Sequence, residues 1–179
     1  TKGIKVDSLP TFDIEYLFLN IRGKSVGEEI EVNIICPDDG ETQVPVMINI
    51  DDIHVQKDDA HTNKIQLDDE ILMVMKYPSL DQFIKNNFDF ESKNQMDQSF
   101  DLIASCIESI CTEEDVWATA DCTKKEVSEF LESMNSSQFK GVEKFFDTMP
   151  KLAHTIKVKN PVTKKESEVV LEGLASFFA

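Results

Sequence analysis

The sequence predicts an α+β fold with an N-terminal antiparallel hairpin-rich sheet, a central segment of three or four helices, and a C-terminal β-hairpin with a short terminal helix. Apolar residues alternate with polar ones in the first part of the chain, recur every three to four residues in the middle, and alternate again near the end. We therefore expect a β-rich subdomain (1–78), a helical subdomain (79–148) and a C-terminal segment packed back on the rest (149–179).

The N-terminal segment is predicted to be mainly extended. Apolar residues alternate before and after the turn residues Cys36–Gly40, which predicts a β-hairpin with one buried face. Short apolar stretches separated by acidic clusters then predict several short strands, the last over Ile71–Met75. The alternating hairpin positions are Ile30, Val32, Ile34, Val44, Val46, Ile48 and Ile50.

The middle segment has helical periodicity. Thr123 and Glu126 form a capping-box pattern that predicts a helix start. Gly141 weakens the third helix, because glycine costs about 1 kcal/mol in a helix interior relative to alanine. The three predicted apolar faces are Phe100, Ile103, Ala104, Ile107 and Ile110, then Val127, Phe130, Leu131 and Met134, then Phe139, Val142, Phe145 and Phe146.

The C-terminal segment is predicted to be a hairpin, with Ile156 and Val158 on one strand, a turn from Asn160, and Val169 and Leu171 on the return strand. An isolated hairpin is marginal in water, so it must dock on the helices or on the N-terminal sheet. Residues 149–179 carry five basic and three acidic side chains, whereas the rest of the chain is acidic. This basic excess has two possible explanations: the charges attract the hairpin to the acidic rest of the chain, or the lysines only keep the hairpin soluble.

Composition excludes several classes of function. With 34 acidic and 18 basic residues, the net charge of −16 opposes general nucleic-acid binding. No apolar run is long enough to span a membrane. The chain starts at Thr1 without an initiator Met, which we interpret as a fragment or as residues missing upstream. The four cysteines are interpreted as reduced, as in a cytoplasmic protein, although two bridges are the alternative in a secreted chain.

The sequence offers no familiar catalytic grouping. Only His54, His61 and His154 could serve as histidine bases, and no Gly-x-Ser-x-Gly elbow accompanies them. The six glycines form neither a P-loop nor a Gly-x-Gly-x-x-Gly motif. We therefore predict that the protein is not an enzyme and needs no cofactor.

Two groups of residues resemble metal sites. The acidic and histidine cluster from Asp51 to His61 could bind a divalent cation, but it lacks the EF-hand order, and a solvated acidic loop is the simpler interpretation. The turns at Cys36 and Asn160 share the frame of a zinc knuckle. Asp39 stands where the second thiolate of the first turn would be, and the second turn has no sulfur, so no zinc is predicted.

Six residues are candidates for partner contact. Arg22, in the same segment as Lys24, is the only arginine, and it either closes an internal ion pair or anchors an interface. The chain contains two pairs of adjacent aromatic residues, Phe145-Phe146 and Phe177-Phe178. Adjacent residues on one element cannot both face one core, so one member of each pair either covers a neighbouring element or docks a partner. The candidates are Arg22, Lys24, Phe145, Phe146, Phe177 and Phe178.

Two stretches resemble the baseplate hub assembly proteins of T-even-type contractile-tailed phages. The first, Phe12–Glu28, ends in Arg-x-Lys-Ser-Val-Gly-Glu, and the second combines Phe145–Leu152, Asn160-Pro161 and Leu171–Phe178. The chain departs from the family by lacking an additional N-terminal segment, and by Asp39 and Asn160 at turns where some members have Cys-Pro-x-Cys, which removes a metal role. The resemblance implies a non-enzymatic protein that binds other tail or hub proteins.

Such a protein is expected in the host cytoplasm during assembly and, if it is a hub component, in the tail baseplate of the virion. Whether it is a structural component or a transient chaperone stays open, as does its oligomeric state. Two other functions compete with this one. The first is an acidic nucleic-acid mimic that inhibits a host enzyme, suggested by the charge of −16. The second is a metal-binding protein that uses the cluster from Asp51 to His61.

Overall fold

The computed structural model describes residues 5–80 and 95–177, and it confirms the α+β fold. The described helices are α1 (Thr11–Val26), α2 (Gln95–Cys106), α3 (Lys124–Ser133) and α4 (Ser136–Thr148). The described strands are β1 (Glu29–Ile35), β2 (Gln43–Asn49), β3 (His54–Gln56), β4 (Lys64–Gln66), β5 (Leu72–Met75), β6 (Ile107–Cys111), β7 (Val116–Ala118), β8 (Lys151–Lys159) and β9 (Glu166–Glu172).

The chain forms two compact units, and each is discontinuous in sequence. The hairpin unit consists of Phe12–Lys57 and Pro150–Ala179, and the helical unit of Thr1–Thr11 and Asp58–Met149. The sequence analysis divided the chain into three contiguous segments at the points where the apolar pattern changes. Such changes do not reveal which distant segments pack together.

The hairpin unit contains α1 and two antiparallel sheets. Strands β1 and β2 pair with Ile30 opposite Ile48, as the alternating pattern predicts. The second sheet has the order β3-β8-β9, so the C-terminal hairpin docks on a strand of the N-terminal segment. Three lysines of this hairpin pair with glutamates on the opposite strand, so their charges are balanced within the hairpin. These pairs are Lys151–Glu172, Lys157–Glu168 and Lys159–Glu166.

The expectation that residues 1–78 are mainly extended was wrong for Thr11–Val26, which is a helix of 16 residues. Its buried residues are Phe12, Leu19 and Gly23, which are spaced by seven and four positions. This is helical periodicity, which places them on one side of α1. A Cβ atom at Gly23 would lie 3.3 Å from the Ile50 side chain, so the helix packs closely against the residues that follow β2.

The helical unit contains α2–α4 and a sheet of order β4-β5-β6-β7. Ile107 and Ile110 were expected on the same helix as Phe100, but α2 ends at Cys106 and both isoleucines lie on β6. They pair opposite Met75 and Met73 of β5. Pairing between distant strands, which β-branched side chains favour, therefore overrides the local helical spacing.

Several helix predictions are confirmed. The capping box at Thr123 is formed, with Glu126 bonded back to the Thr123 backbone, and α4 carries the predicted apolar face. Gly141 lies within α4, as predicted. Packing accounts for a glycine at this position, because a Cβ atom there would lie 2.6 Å from the Ile65 side chain. Among residues 5–80 and 95–177, every helix is too short or too polar to cross a bilayer.

Candidate functional site

The two turns at Cys36 and Asn160 come together in the hairpin unit. In each, the fifth residue donates its backbone N–H to the carbonyl of the first, over 2.9 Å in both turns. The fifth residues, Gly40 and Lys164, have φ angles of +71° and +64°. The turns therefore share one backbone geometry, although their sequences differ at the fifth position.

Side-chain hydrogen bonds join these two turns. The Asn160 amide donates to Asp38 at 3.0 Å and to Asp39 at 2.7 Å, and the Thr163 hydroxyl donates to Asp38. The Asn160 carbonyl oxygen accepts the backbone N–H of Val162 at 2.8 Å. We call Asp38, Asp39, Asn160 and Thr163 the turn cluster. Because both carboxylates accept hydrogen bonds from the second turn, the turn cluster holds the two turns together.

Hydrogen bonding sets the electrostatics of the turn cluster. Donation from Thr163 and then Asn160 lowers the pKa of Asp38, and donation from Thr42 and then Asn160 lowers the pKa of Asp39. Burial, reinforced by the two nearby carboxylates, raises the pKa of the Cys36 thiol. The buried Cys36 thiol therefore lies beside two carboxylates whose ionised forms are favoured by hydrogen bonding.

The residues of the cluster from Asp51 to His61 are divided between the two units. Asp51 and His54 belong to the hairpin unit, whereas Asp58 and His61 belong to the helical unit. Within the described part of the chain, no three His, Cys, Asp or Glu side chains are grouped so as to bind a metal ion.

His61 instead belongs to a hydrogen-bonded aromatic group in the helical unit. Its Nδ1 lies 2.9 Å from Thr148 Oγ1, and its Nε2 lies 3.0 Å from the Tyr77 hydroxyl. Because the Thr148 hydroxyl donates its proton to the Lys144 carbonyl, Nδ1 of His61 is the donor to Thr148. The Phe145 ring lies 5.2 Å from the His61 ring, so the half-buried His61 packs against the core of the helical unit.

The predicted partner-binding phenylalanines occupy different environments. Phe145 and Phe177 are 2% and 1% exposed, and they lie in the cores of the helical and hairpin units respectively. Phe146 is half-buried and meets the Phe145 ring edge-on. Phe178 lies outside the described residues. The two buried rings favour the core interpretation, and they present almost no surface to a partner in this conformation.

Arg22 and Lys24 both lie on α1. Arg22 is half-buried, whereas Lys24 is exposed and forms an ion pair with Glu28 over 3.1 Å. This pair raises the pKa of Lys24, chiefly through its hydrogen bond to Glu28. Exposed ion pairs of this spacing contribute little to stability, so the Lys24–Glu28 pair adds little to the stability of α1.

One exposed apolar feature that the sequence interpretation missed is the outer face of α1. At 100° per residue, Ile14, Leu17, Phe18 and Ile21 point to the side of the helix opposite its buried residues. Leu17, Phe18 and Ile21 are 46%, 52% and 65% exposed. We call these four residues the outer face. The sequence signal was available, because both faces of Thr11–Val26 have helical spacing, but two apolar faces on opposite sides of the helix obscured it.

A second missed feature is an apolar groove in the helical unit, with a cavity volume of about 370 Å³. Its walls are the edge of the sheet, where Ile110 pairs opposite Trp117, and the start of α3. The lining residues that matter below are Ile71, Ile110, Trp117, Glu126, Val127 and Phe130. The sequence could not reveal this groove because its walls come from segments up to 59 positions apart.

Exposed apolar surfaces of this kind are typical of proteins that act through contact with other proteins. Comparison with protein families gives the particular assignment: the chain belongs to the family described as T4 bacteriophage base plate protein, whose model matches residues 1–179. The predicted resemblance is thereby confirmed at the level of the baseplate. The comparisons with curated proteins and with solved structures found no match.

Proposed function

We propose that this baseplate family member is a non-enzymatic hub assembly protein, which binds another tail or hub protein through the outer face of α1. The observation that carries this proposal is the exposure of Leu17 and Ile21 on a helix whose opposite side is already buried. A helix that is apolar on both sides normally has both sides covered.

Burial of this face supplies the binding free energy. Apolar surface contributes about 25 cal/mol of favourable free energy for each Å² removed from water. A partner that covers the outer face therefore gains this free energy on binding. Asp13 and Lys24 flank the face on the helical wheel and provide charges at its rim. The face therefore suits a partner with a complementary apolar helix or sheet surface.

The net charge favours a different protein over a second copy as the occupant. Two chains that each carry a charge of −16 repel one another, whereas a less acidic partner does not. A partner held at this face has its own apolar surface covered until it is placed in the hub. Retention of the complex in the finished tail distinguishes a hub component from a transient chaperone.

The test is co-expression with the hub and tape-measure proteins of the same phage, followed by size-exclusion chromatography. The double variant Leu17→Ser, Ile21→Ser is expected to lose co-elution while keeping its melting temperature, because both side chains are largely exposed. Val162→Ser is the matched control, since Val162 is 73% exposed in the β8–β9 turn. Failure of the unaltered chain to co-elute with any tail protein contradicts the proposal, as does full binding by the double variant.

A further inference from the structure

We infer that the groove beside Trp117 is a second binding site, which takes a lysine- or arginine-bearing segment of another protein with an apolar anchor side chain. This inference rests on the proposed function, because it names the chemistry of a partner. It concerns the helical unit alone and uses none of the residues of α1.

The interior of the groove is suited to an apolar side chain. Ile71, Ile110 and Val127 line it, and Phe130 closes the side formed by α3. Its volume falls in the range of sites that hold small ligands, and it is large enough for an aromatic or branched aliphatic anchor. Trp117 is 47% exposed at the sheet edge, although a large aromatic side chain gains free energy when it is covered.

The rim of the groove selects the charge of the occupant. Residues 108–129 carry seven acidic and two basic side chains, a net charge of −5. Glu126 lines the groove, and the exposed acidic run Glu113–Asp115 follows directly after the lining residue Thr112. One of the two lysines, Lys125, is paired with Glu129 over 3.5 Å. The carboxylate of Glu126 in the lining and the acidic run next to Thr112 are complementary to cationic residues that flank an apolar anchor.

The sheet edge also favours an extended occupant. Strand β7 is the last strand in the sheet order β4-β5-β6-β7, and Val116 beside Trp117 is 68% exposed. An extended segment laid along an edge strand pairs through its backbone and places alternate side chains in adjacent pockets. A single anchor in the groove with lysines on either side satisfies this geometry.

Trp117 is the only tryptophan in the chain, so its fluorescence reports on this groove alone. The probe is a fluorescein-labelled heptapeptide with a Leu-Phe-Val core between two pairs of lysines. Two matched peptides replace the lysines by glutamates or the core by serines. We expect the lysine–apolar peptide to bind the unaltered chain with a blue shift of the tryptophan emission, and both matched peptides to bind at least tenfold more weakly.

Two variants separate the anchor from the charges. Trp117→Ala is expected to weaken peptide binding at least tenfold, measured by fluorescein anisotropy. The triple variant Glu113→Gln, Glu114→Gln, Asp115→Asn is expected to reduce both the affinity and its dependence on salt. Melting temperatures check that both variants, which alter exposed side chains, remain folded.

Equal binding of the glutamate peptide, or unchanged binding by folded Trp117→Ala, overturns the inference. The co-elution assay keeps this failure distinct from failure of the proposed function. Loss of tail-protein binding by the α1 variant, together with no peptide binding at Trp117, rejects only the groove. Peptide binding at Trp117 by a chain that co-elutes with no tail protein supports the groove and rejects the α1 proposal.

Discussion

The side-chain amide of Asn160 donates a 2.7 Å hydrogen bond to the carboxylate of Asp39, which lies 121 positions earlier in the chain. Asn160 is 1% exposed, and the same side chain also caps its own turn by accepting the backbone N–H groups of Val162 and Thr163. One side chain therefore holds the β8–β9 turn in shape and ties it to the β1–β2 turn. The link fixes one end of the hairpin unit.

Replacement of Asn160 by alanine is expected to destabilise the protein by about 1–3 kcal/mol, because the hydrogen bonds from Asn160 to the carboxylates of Asp38 and Asp39 and the capping of its own turn are lost together. Denaturant unfolding, followed by far-UV circular dichroism, measures the change. Val162→Ala in the same turn is the control, and its effect is expected to stay within about 0.5 kcal/mol because Val162 is exposed. Equal stability of the two variants would show that the turns are not linked in solution.

Acid is expected to weaken the turn cluster. Hydrogen bonds lower the pKa of Asp39 in the folded protein, so its contribution to stability is complete above the unfolded-state pKa of about 3.9 and declines as the pH falls below it. Asn at position 39 does not titrate. The difference in melting temperature between the unaltered chain and Asp39→Asn should therefore shrink between pH 6 and pH 2.5. A constant difference over that range would contradict the role given to the Asp39 charge.

The parts of the fold that could be predicted are those set by local sequence. The alternation from Ile30 to Ile48 gives the first hairpin, and Thr123 with Glu126 gives the start of α3. The helix α1 was missed because its apolar residues lie on two opposite sides, so no single apolar face marks the helical period. The end of α2 was missed because Ile107 pairs with Met75, a contact that no local pattern encodes.

The candidate surfaces were less accessible to sequence reasoning than the fold. The shared frame of the turns at Cys36 and Asn160 was visible, but their hydrogen bonding depends on a contact between chain segments more than 120 positions apart. Phe177 shows the same dependence, since both core burial and partner contact were compatible with the aromatic pair at the end of the chain, and the Phe177 ring is buried. Burial depends on which elements pack together, and the sequence specifies that only through the whole fold.

The four cysteines are expected to differ in reactivity. Cys36 and Cys106 are buried, and burial raises the pKa of Cys106 to about 11, whereas Cys111 and Cys122 are half-buried. Brief alkylation with iodoacetamide at pH 8, read by peptide mass spectrometry, should therefore label the latter two first. In urea all four should react at similar rates. Early labelling of Cys106 in the folded protein would show that its part of the core opens readily.

Gly141 is expected to resist substitution by alanine, even though alanine is the better helix former by about 1 kcal/mol. A new Cβ atom would lie 2.6 Å from the Cγ2 methyl of Ile65, and such overpacking costs about 1–3 kcal/mol. Gly141→Ala should therefore lower the free energy of unfolding. Ile65→Leu removes the branched methyl at nearly constant volume, so the double variant should be less destabilised than the sum of the single changes. Strict additivity in this cycle would mean that α4 and β4 adjust without the clash, and that Gly141 is not required by packing.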